Sequence, residues 1–214
     1  MADIFDEIEE DLRKERARRL WDRYAWIVLT AAGALLLAIA GWQGWRWYER
    51  TERTRAADRF AAAATTAARG DTAAAIDAFA ALARDAPAGY RLLARFQEAA
   101  GRGAAGDPDA AVGLYESIAA DGGVPALYRD LAVLLSVMHQ ADRADPAALA
   151  QRLSPLAAEG APWRHSAREL QAVLAARRGD RAEAATLLRA LAADPAAPDG
   201  ARRRAGELLG ALGG

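Results

Sequence analysis

The fold is decided by the stretch Asp71-Thr72-Ala73-Ala74-Ala75-Ile76-Asp77-Ala78-Phe79-Ala80-Ala81-Leu82-Ala83-Arg84-Asp85-Ala86-Pro87. Aspartate is a preferred helix N-cap, because its side-chain oxygen accepts from an otherwise orphaned backbone N–H of the first turn. Phe79 and Leu82 follow at offsets of eight and eleven, which puts them on one face of the helix. Asp85 comes at offset fourteen, and Pro87 forbids continuation. The same grammar returns at Asp107, Asp145 and Asp180, at spacings of 36, 38 and 35 residues. Tyr115 and Ile118, Leu153 and Leu156, and Leu188 and Leu191 fill the two apolar offsets. Asp121, Glu159 and Asp194 fill the acidic one, and Pro125, Pro162 and Pro195 follow. Pro108 and Pro146 stand at the first-turn place where proline is tolerated.

A second helical segment separates each copy from the next, over 90–100, 127–140 and 166–178, with a terminal one over 201–212. The first two share a pattern, Tyr90-Arg91-Leu92-Leu93-Ala94 and Tyr128-Arg129-Asp130-Leu131-Ala132. A helix pair repeated at about 36 residues is a solenoid, in which each unit buries its apolar face on its neighbours. The unit at Asp145 departs, because Leu149 replaces a small residue and Pro155 interrupts the helix interior.

Upstream of the repeats lies a run of different character. Twenty-two residues from Tyr24 to Trp45 carry no charge, with Arg23 before them and Arg46 after. At ~1.5 Å per residue they make ~33 Å of helix, enough to cross a hydrocarbon core of ~30 Å. Ile27, Val28, Leu29, Leu35, Leu36, Leu37 and Ile39 each favour insertion by roughly 0.3–0.6 kcal/mol. Trp21, Tyr24 and Trp26 stand at one end and Trp42, Trp45, Trp47 and Tyr48 at the other, as an interfacial belt requires. The competing readings are a buried core helix and a cleaved signal peptide, with Ala38-Ile39-Ala40 as the small-x-small site and Gly41 as the new terminus. The long acidic opening, and a belt falling just past the cut, argue for retention. Thr30, Ala34 and Ala38 recur at four-residue spacing, a small-residue stripe that would let another membrane helix approach closely.

Residues 2–23 read as a polar helix, capped by Asp3 and acidic first, basic last, in keeping with the helix macrodipole. Ile4, Phe5, Ile8 and Leu12 share one face, which suits lipid or a partner helix. The N-terminal flank of the span holds Arg13, Lys14, Arg16, Arg18, Arg19 and Arg23, the other flank Arg46, Arg50, Arg53, Arg55 and Arg59. Six against five leaves orientation nearly undetermined by charge. From Arg46 the helix should run on as a stalk until Gly70 stops it. The expected architecture is therefore all-α: a single N-terminal transmembrane helix, then an α-solenoid of about four helix pairs. Its parts are a charged tail at 1–23, the span at 24–45, a stalk and first repeat helix at 46–69, and the repeat domain at 70–214.

The second helix of each unit resembles the tetratricopeptide repeat. Gly70, Asp71, Ala75, Phe79 and Pro87 stand at that motif's places, and Ala111 with Tyr115, and Ala184 with Leu188, repeat the match. The first helices lack its tryptophan and its Leu-Gly pair. The whole layout, with Trp21-Asp22-Arg23-Tyr24 before one span ending Gly41-Trp42, is similar to the YfgM-type ancillary subunits of the SecYEG translocon. That resemblance implies an inner-membrane protein with a cytoplasmic N-terminus and a periplasmic repeat domain. It also implies its partners: the translocon, a membrane-anchored periplasmic chaperone of the peptidyl-prolyl isomerase type, and unfolded exported chains.

Little in the chain suggests catalysis or a cofactor. There is no cysteine, which excludes thiol chemistry and disulfides, and the net charge of −1 advertises no face for nucleic acid. His139 and His165 are the only histidines, and His165 and Ser166 diverge by ~100° as helix neighbours. Gly101-Arg102-Gly103-Ala104-Ala105-Gly106 satisfies G-x-G-x-x-G but follows a helix rather than a strand, and reads as an inter-helix turn. A binding surface is the better expectation. Counting back from the capping aspartates gives equivalent first-helix places at Phe60, Phe96 and Leu134, with Met138 one turn on. These are either groove residues suited to unfolded segments or inter-repeat core. The chain is expected to be a non-enzymatic scaffold of protein export, the alternative being an adaptor tethered to the cytoplasmic face.

Overall fold

The computed structural model describes residues 3–213, with side chains at 21, 23, 24, 26, 27, 29–31 and 33–213. The apolar face expected from Ile4, Phe5, Ile8 and Leu12, the Asp3 cap, and Val28 lie outside the described side chains. Among the described residues the chain is all-α, in nine helices: α1 (Asp3–Ala68), α2 (Thr72–Asp85), α3 (Ala88–Ala104), α4 (Pro108–Ala119), α5 (Ala126–Gln140), α6 (Pro146–Leu153), α7 (Arg164–Arg177), α8 (Arg181–Ala193) and α9 (Asp199–Gly213). Contacts divide it into two compact units, Met1–Thr54 and Arg55–Gly214.

In the first unit the backbone is one uninterrupted helix, which takes in the expected tail, the span and the opening of the stalk. The described apolar side chains from Trp21 to Tyr48 are exposed. Thr30 turns its hydroxyl back onto the carbonyls of Trp26 at 2.8 Å and Ile27 at 2.9 Å, so it presents no unmade hydrogen bond. The Arg46 guanidinium sits 4.9 Å from the Trp42 ring centroid. Among the described residues no helix is long and apolar enough to cross a membrane; the stretch 24–45 contains positions 25, 28 and 32, whose side chains are outside the description.

The second unit is built from joints that the Asp positions define. Asp71, Asp107, Asp145 and Asp180 each accept from a first-turn N–H: Ala74, Ala110, both Ala147 and Ala148, and Glu183. At three of these joints a glycine precedes the aspartate with φ near +85°: Gly70 at +88°, Gly106 at +85° and Gly179 at +88°. Each glycine N–H reaches the carbonyl three residues back and each aspartate N–H the one five back, as at Gly70→Ala67 (3.0 Å) and Asp71→Thr66 (3.3 Å). This is the Schellman closure, and the aspartate that completes it also caps the next helix. At the Asp145 joint alanine stands where the other three have glycine, and α5 leaves through a looser turn.

Four apolar clusters follow one another along the unit, each shared by three consecutive helices. Ala56, Ala63, Phe79, Leu82 and Ala94 unite the end of α1 with α2 and α3, and Ala99, Tyr115, Ile118 and Ala132 unite α3, α4 and α5. Val137, Leu153, Ala167 and Leu174 join α5, α6 and α7, and Ala172, Leu188, Leu191 and Ala205 join α7, α8 and α9. All eight residues at offsets eight and eleven are buried. Adjacent-helix packing of this kind is that of a tetratricopeptide-like solenoid.

Several expected boundaries shift, α3 and α9 each opening two residues early and α5 one. α6 is the shortest helix and closes at Ser154, so Pro155 ends it rather than kinking it. α7 opens at Arg164, two residues early, because the Trp163 carbonyl already accepts from Ala167. α3 runs to Ala104, so Gly101 and Gly103 are helical and only Gly106 makes the turn, which corrects the reading of the glycine motif. The reason is close packing. A Cβ at Gly101 would fall 2.8 Å from Ile76 Cγ1 in α2. At Gly103 it would strike the His139 ring in α5, which stacks on Tyr115 at 5.6 Å. These glycines let neighbouring helices approach and cradle no phosphate.

Candidate partner-binding site

The first helices of the pairs present equivalent positions at Phe60, Phe96, Leu134, Glu169 and Arg204, spaced 36, 38, 35 and 35 residues apart. The first three are those chosen from the sequence, and the structure distributes them. Phe60 is half-buried, with its ring 5.3 Å from Phe79 and 5.9 Å from Tyr90. Phe96 is half-buried and meets Tyr115 at 6.0 Å. Both pack against core clusters. Leu134 is 4% exposed, but its edge lines a groove in which Met138 stands 54% exposed. Phe60 and Phe96 are not brought to that groove, whereas Leu134 and Met138 are.

The groove holds about 370 Å³ and is lined by Leu134 and Met138 of α5, Ser166, Glu169, Leu170 and Val173 of α7, and Arg204 of α9. The α7 residues fall at i, i+3, i+4 and i+7, a single stripe along the helix. A smaller cleft of about 150 Å³ continues past Val173, between Leu188 of α8 and Leu208 and Leu212 of α9. Sequence reasoning missed the α7 and α9 contributions. Carrying the count two places beyond Leu134, to Glu169 and then Arg204, would have found a residue of each.

Glu169 and Arg204 pair as a fork, with Arg204 Nε and Nη2 each 2.7 Å from a different carboxylate oxygen. The hydrogen bonds and charge of Glu169 push the already high Arg204 pKa further up. Arg204 is therefore a cation at any physiological pH, and it is engaged by Glu169 through two hydrogen bonds.

The other polar groups hold helices together. The acidic residue at offset fourteen answers an arginine of the preceding first helix: Asp85 with Arg59 at 3.1 Å, Asp121 with Arg95 at 2.7 Å, Asp194 with Arg164 at 3.4 Å. Asp121 is held below the usual carboxylate range by the Arg95 hydrogen bond and the Gly123 N–H. His165 Nε2 lies 3.1 Å from Asp194, while Ser166 lines the groove, so the two share no reaction centre. Ser136, fully buried, donates to Glu116, which Arg152 also contacts at 2.6 Å. Burial raises Glu116, but the hydrogen bonds from Ser136 and Arg152 and the Arg152 charge outweigh it and leave the pKa low. Among the described residues no cluster of His, Asp and Glu has the makings of a metal site.

Comparison with curated proteins and with solved structures gives no match for this chain. A tetratricopeptide repeat-like domain family does match, over residues 18–201, the whole succession of capped helix pairs through α8 included. Domains of this kind bind proteins, and the chain belongs to the tetratricopeptide repeat-like domain family.

Proposed function

We propose that the chain is a membrane-anchored, non-enzymatic scaffold of protein export, with its N-terminus in the cytoplasm and its repeats in the periplasm of a bacterial inner membrane. The observation that carries the reading is a repeat domain whose first helices line an apolar groove, on a chain whose α1 also exposes apolar and aromatic side chains between Trp21 and Tyr48. Exposed contiguous apolar surface marks a membrane or protein contact. The run Tyr24–Trp45 has the length for lipid, its aromatic ends suit the interface, and Thr30 is satisfied within the helix. On this reading the groove receives apolar segments of unfolded exported chains beside the SecYEG translocon. It holds them until a membrane-anchored periplasmic chaperone of the peptidyl-prolyl isomerase type takes over. The near-tied charge flanks favour keeping the cytoplasmic adaptor as the second reading.

Alkaline phosphatase fused after Gly214 should be active, and a fluorescent protein that fails to mature after export should be dark there. The reverse pattern removes the export role and leaves the adaptor. Intact mass of the membrane fraction should show 1–45 retained, and a product beginning at Gly41 would remove the anchor.

A further inference from the structure

The proposed groove carries information about what it accepts. The five equivalent positions change character along the row: Phe60, Phe96 and Leu134 are apolar, then Glu169 and Arg204 are charged. Those two are the groove's only charged side chains, and they are spent on one another. Each Glu169 oxygen takes one N–H, so the carboxylate is occupied and Glu169 is mostly covered. Arg204 keeps Nη1, which makes no hydrogen bond among the described residues. The remaining lining is Leu134, Met138, Leu170, Val173 and the Ser166 hydroxyl. The cavity sits at the low end of the ~300–1,000 Å³ of ligand pockets, room for a few side chains and not for a folded surface.

We infer that the groove takes an uncharged apolar segment of another polypeptide, seated on Met138 and Leu170, with a main-chain carbonyl accepting from Arg204 Nη1, and that the Glu169–Arg204 fork disfavours carboxylate-bearing segments. The inference rests on the groove being the partner site. An incoming carboxylate at Nη1 finds the Arg204 charge already paired with Glu169, and burying it near a like charge without an uncompensated cation is costly. A neutral carbonyl meets no such conflict, and one donor suffices for it. Met138 suits varied side chains, since an unbranched thioether adapts its shape.

The test uses the full chain in detergent and two fluorescent peptides with blocked ends. One is built of leucine, alanine and phenylalanine, and the other has two of its leucines replaced by aspartate. The native chain should bind the neutral peptide at least tenfold more tightly. Glu169→Gln, which frees Arg204, should strengthen the acidic peptide at least tenfold and change the neutral one less than threefold. Met138→Glu should weaken the neutral peptide tenfold, while Leu93→Asp, at an exposed residue outside the lining, should not. Equal native affinity for both peptides, or no gain by the acidic one in Glu169→Gln, overturns the selectivity while leaving the groove reading intact. Neutral-peptide binding that ignores Met138→Glu, or is absent, overturns the groove reading and the selectivity with it.

Discussion

Phe79→Ala tests the repeat register. The ring is buried and lies 5.3 Å from Phe60 at a 60° tilt. Removing it forfeits ~2–3 kcal/mol of apolar transfer and ~0.5–1.5 kcal/mol of ring pairing. The surroundings then decide how much of the hole closes. Ala56, Ala63, Ala75, Ala86 and Ala94 share this cluster, and an alanine has no side-chain freedom with which to fill a void. The cost should therefore fall in the upper half of the ~3–5 kcal/mol typical of such truncations, at about 4 kcal/mol. For a unit running from Arg55 to Gly214, each kcal/mol moves the midpoint by ~2–4 °C, so the melt should drop by ~8–16 °C. Circular dichroism of the full chain in detergent reads this directly. Hydrogen exchange adds a spatial signature: protection should fall in α2 and α3 and persist in α8 and α9, since solenoid repeats support mainly their neighbours. A drop under about 3 °C, or one matched by Leu93→Ala at an exposed site of α3, would refute the burial argument.

Asp145→Ala should cost ~1–2 kcal/mol, near the top of the capping range, because Asp145 alone caps two N–H groups and its helix is the shortest of the set; denaturant midpoints check it against Asp71→Ala, which loses one bond. Acidification should destabilise the repeat unit, because Glu116, Asp121, Asp180 and Asp194 all have lowered pKa values in the folded state. Their stabilisation is complete above the ordinary carboxylate value of about 4 and is lost as pH falls below it towards the lowered ones, so melts should fall steeply below about pH 4. Glu116→Gln should flatten part of that fall. Photocrosslinkers at Ala34 and Ala38 should capture a translocon subunit and one at Leu36 should not, and equal labelling around the helix would dismiss the Thr30 stripe as a contact.

The repeat fold was legible because its signals are local and obligatory. An aspartate that closes a Schellman turn and caps the next helix announces a joint wherever it stands, and Asp71, Asp107 and Asp180 do so with a glycine before them. The offsets of Phe79, Tyr115, Leu153 and Leu188 are set by helical geometry alone. What escaped were decisions made by neighbours distant in sequence. Gly101 and Gly103 look like a turn until Ile76 and His139 are seen against them. The acidic residue at offset fourteen was found as a pattern but not understood. Its partners Arg59 and Arg95 lie 26 residues earlier in both cases, a regularity visible only to someone already looking for a pair.

The groove was half legible for a related reason. Leu134 and Met138 came from counting apolar positions, and that count stops of its own accord when the next equivalents are Glu169 and Arg204. Magnitude then decides what those two residues are for. Glu169 has 16% of its side chain exposed and Arg204 53%, so solvent screens the pair, and exposed pairs contribute ~0–1 kcal/mol. Leucines at both places would hold α7 to α9 at least as firmly. A fork of this quality, at the one groove position where the other repeats use apolar side chains, is thus poorly explained by stability. It is well explained by what it denies: with Glu169 in place, the groove offers an acidic segment no uncompensated cation. Because the pair contributes so little to folding, Glu169→Gln should leave the melt within about 1 kcal/mol of the native chain while abolishing most of its preference for the neutral peptide. A large loss of stability in that variant would assign the fork to the fold.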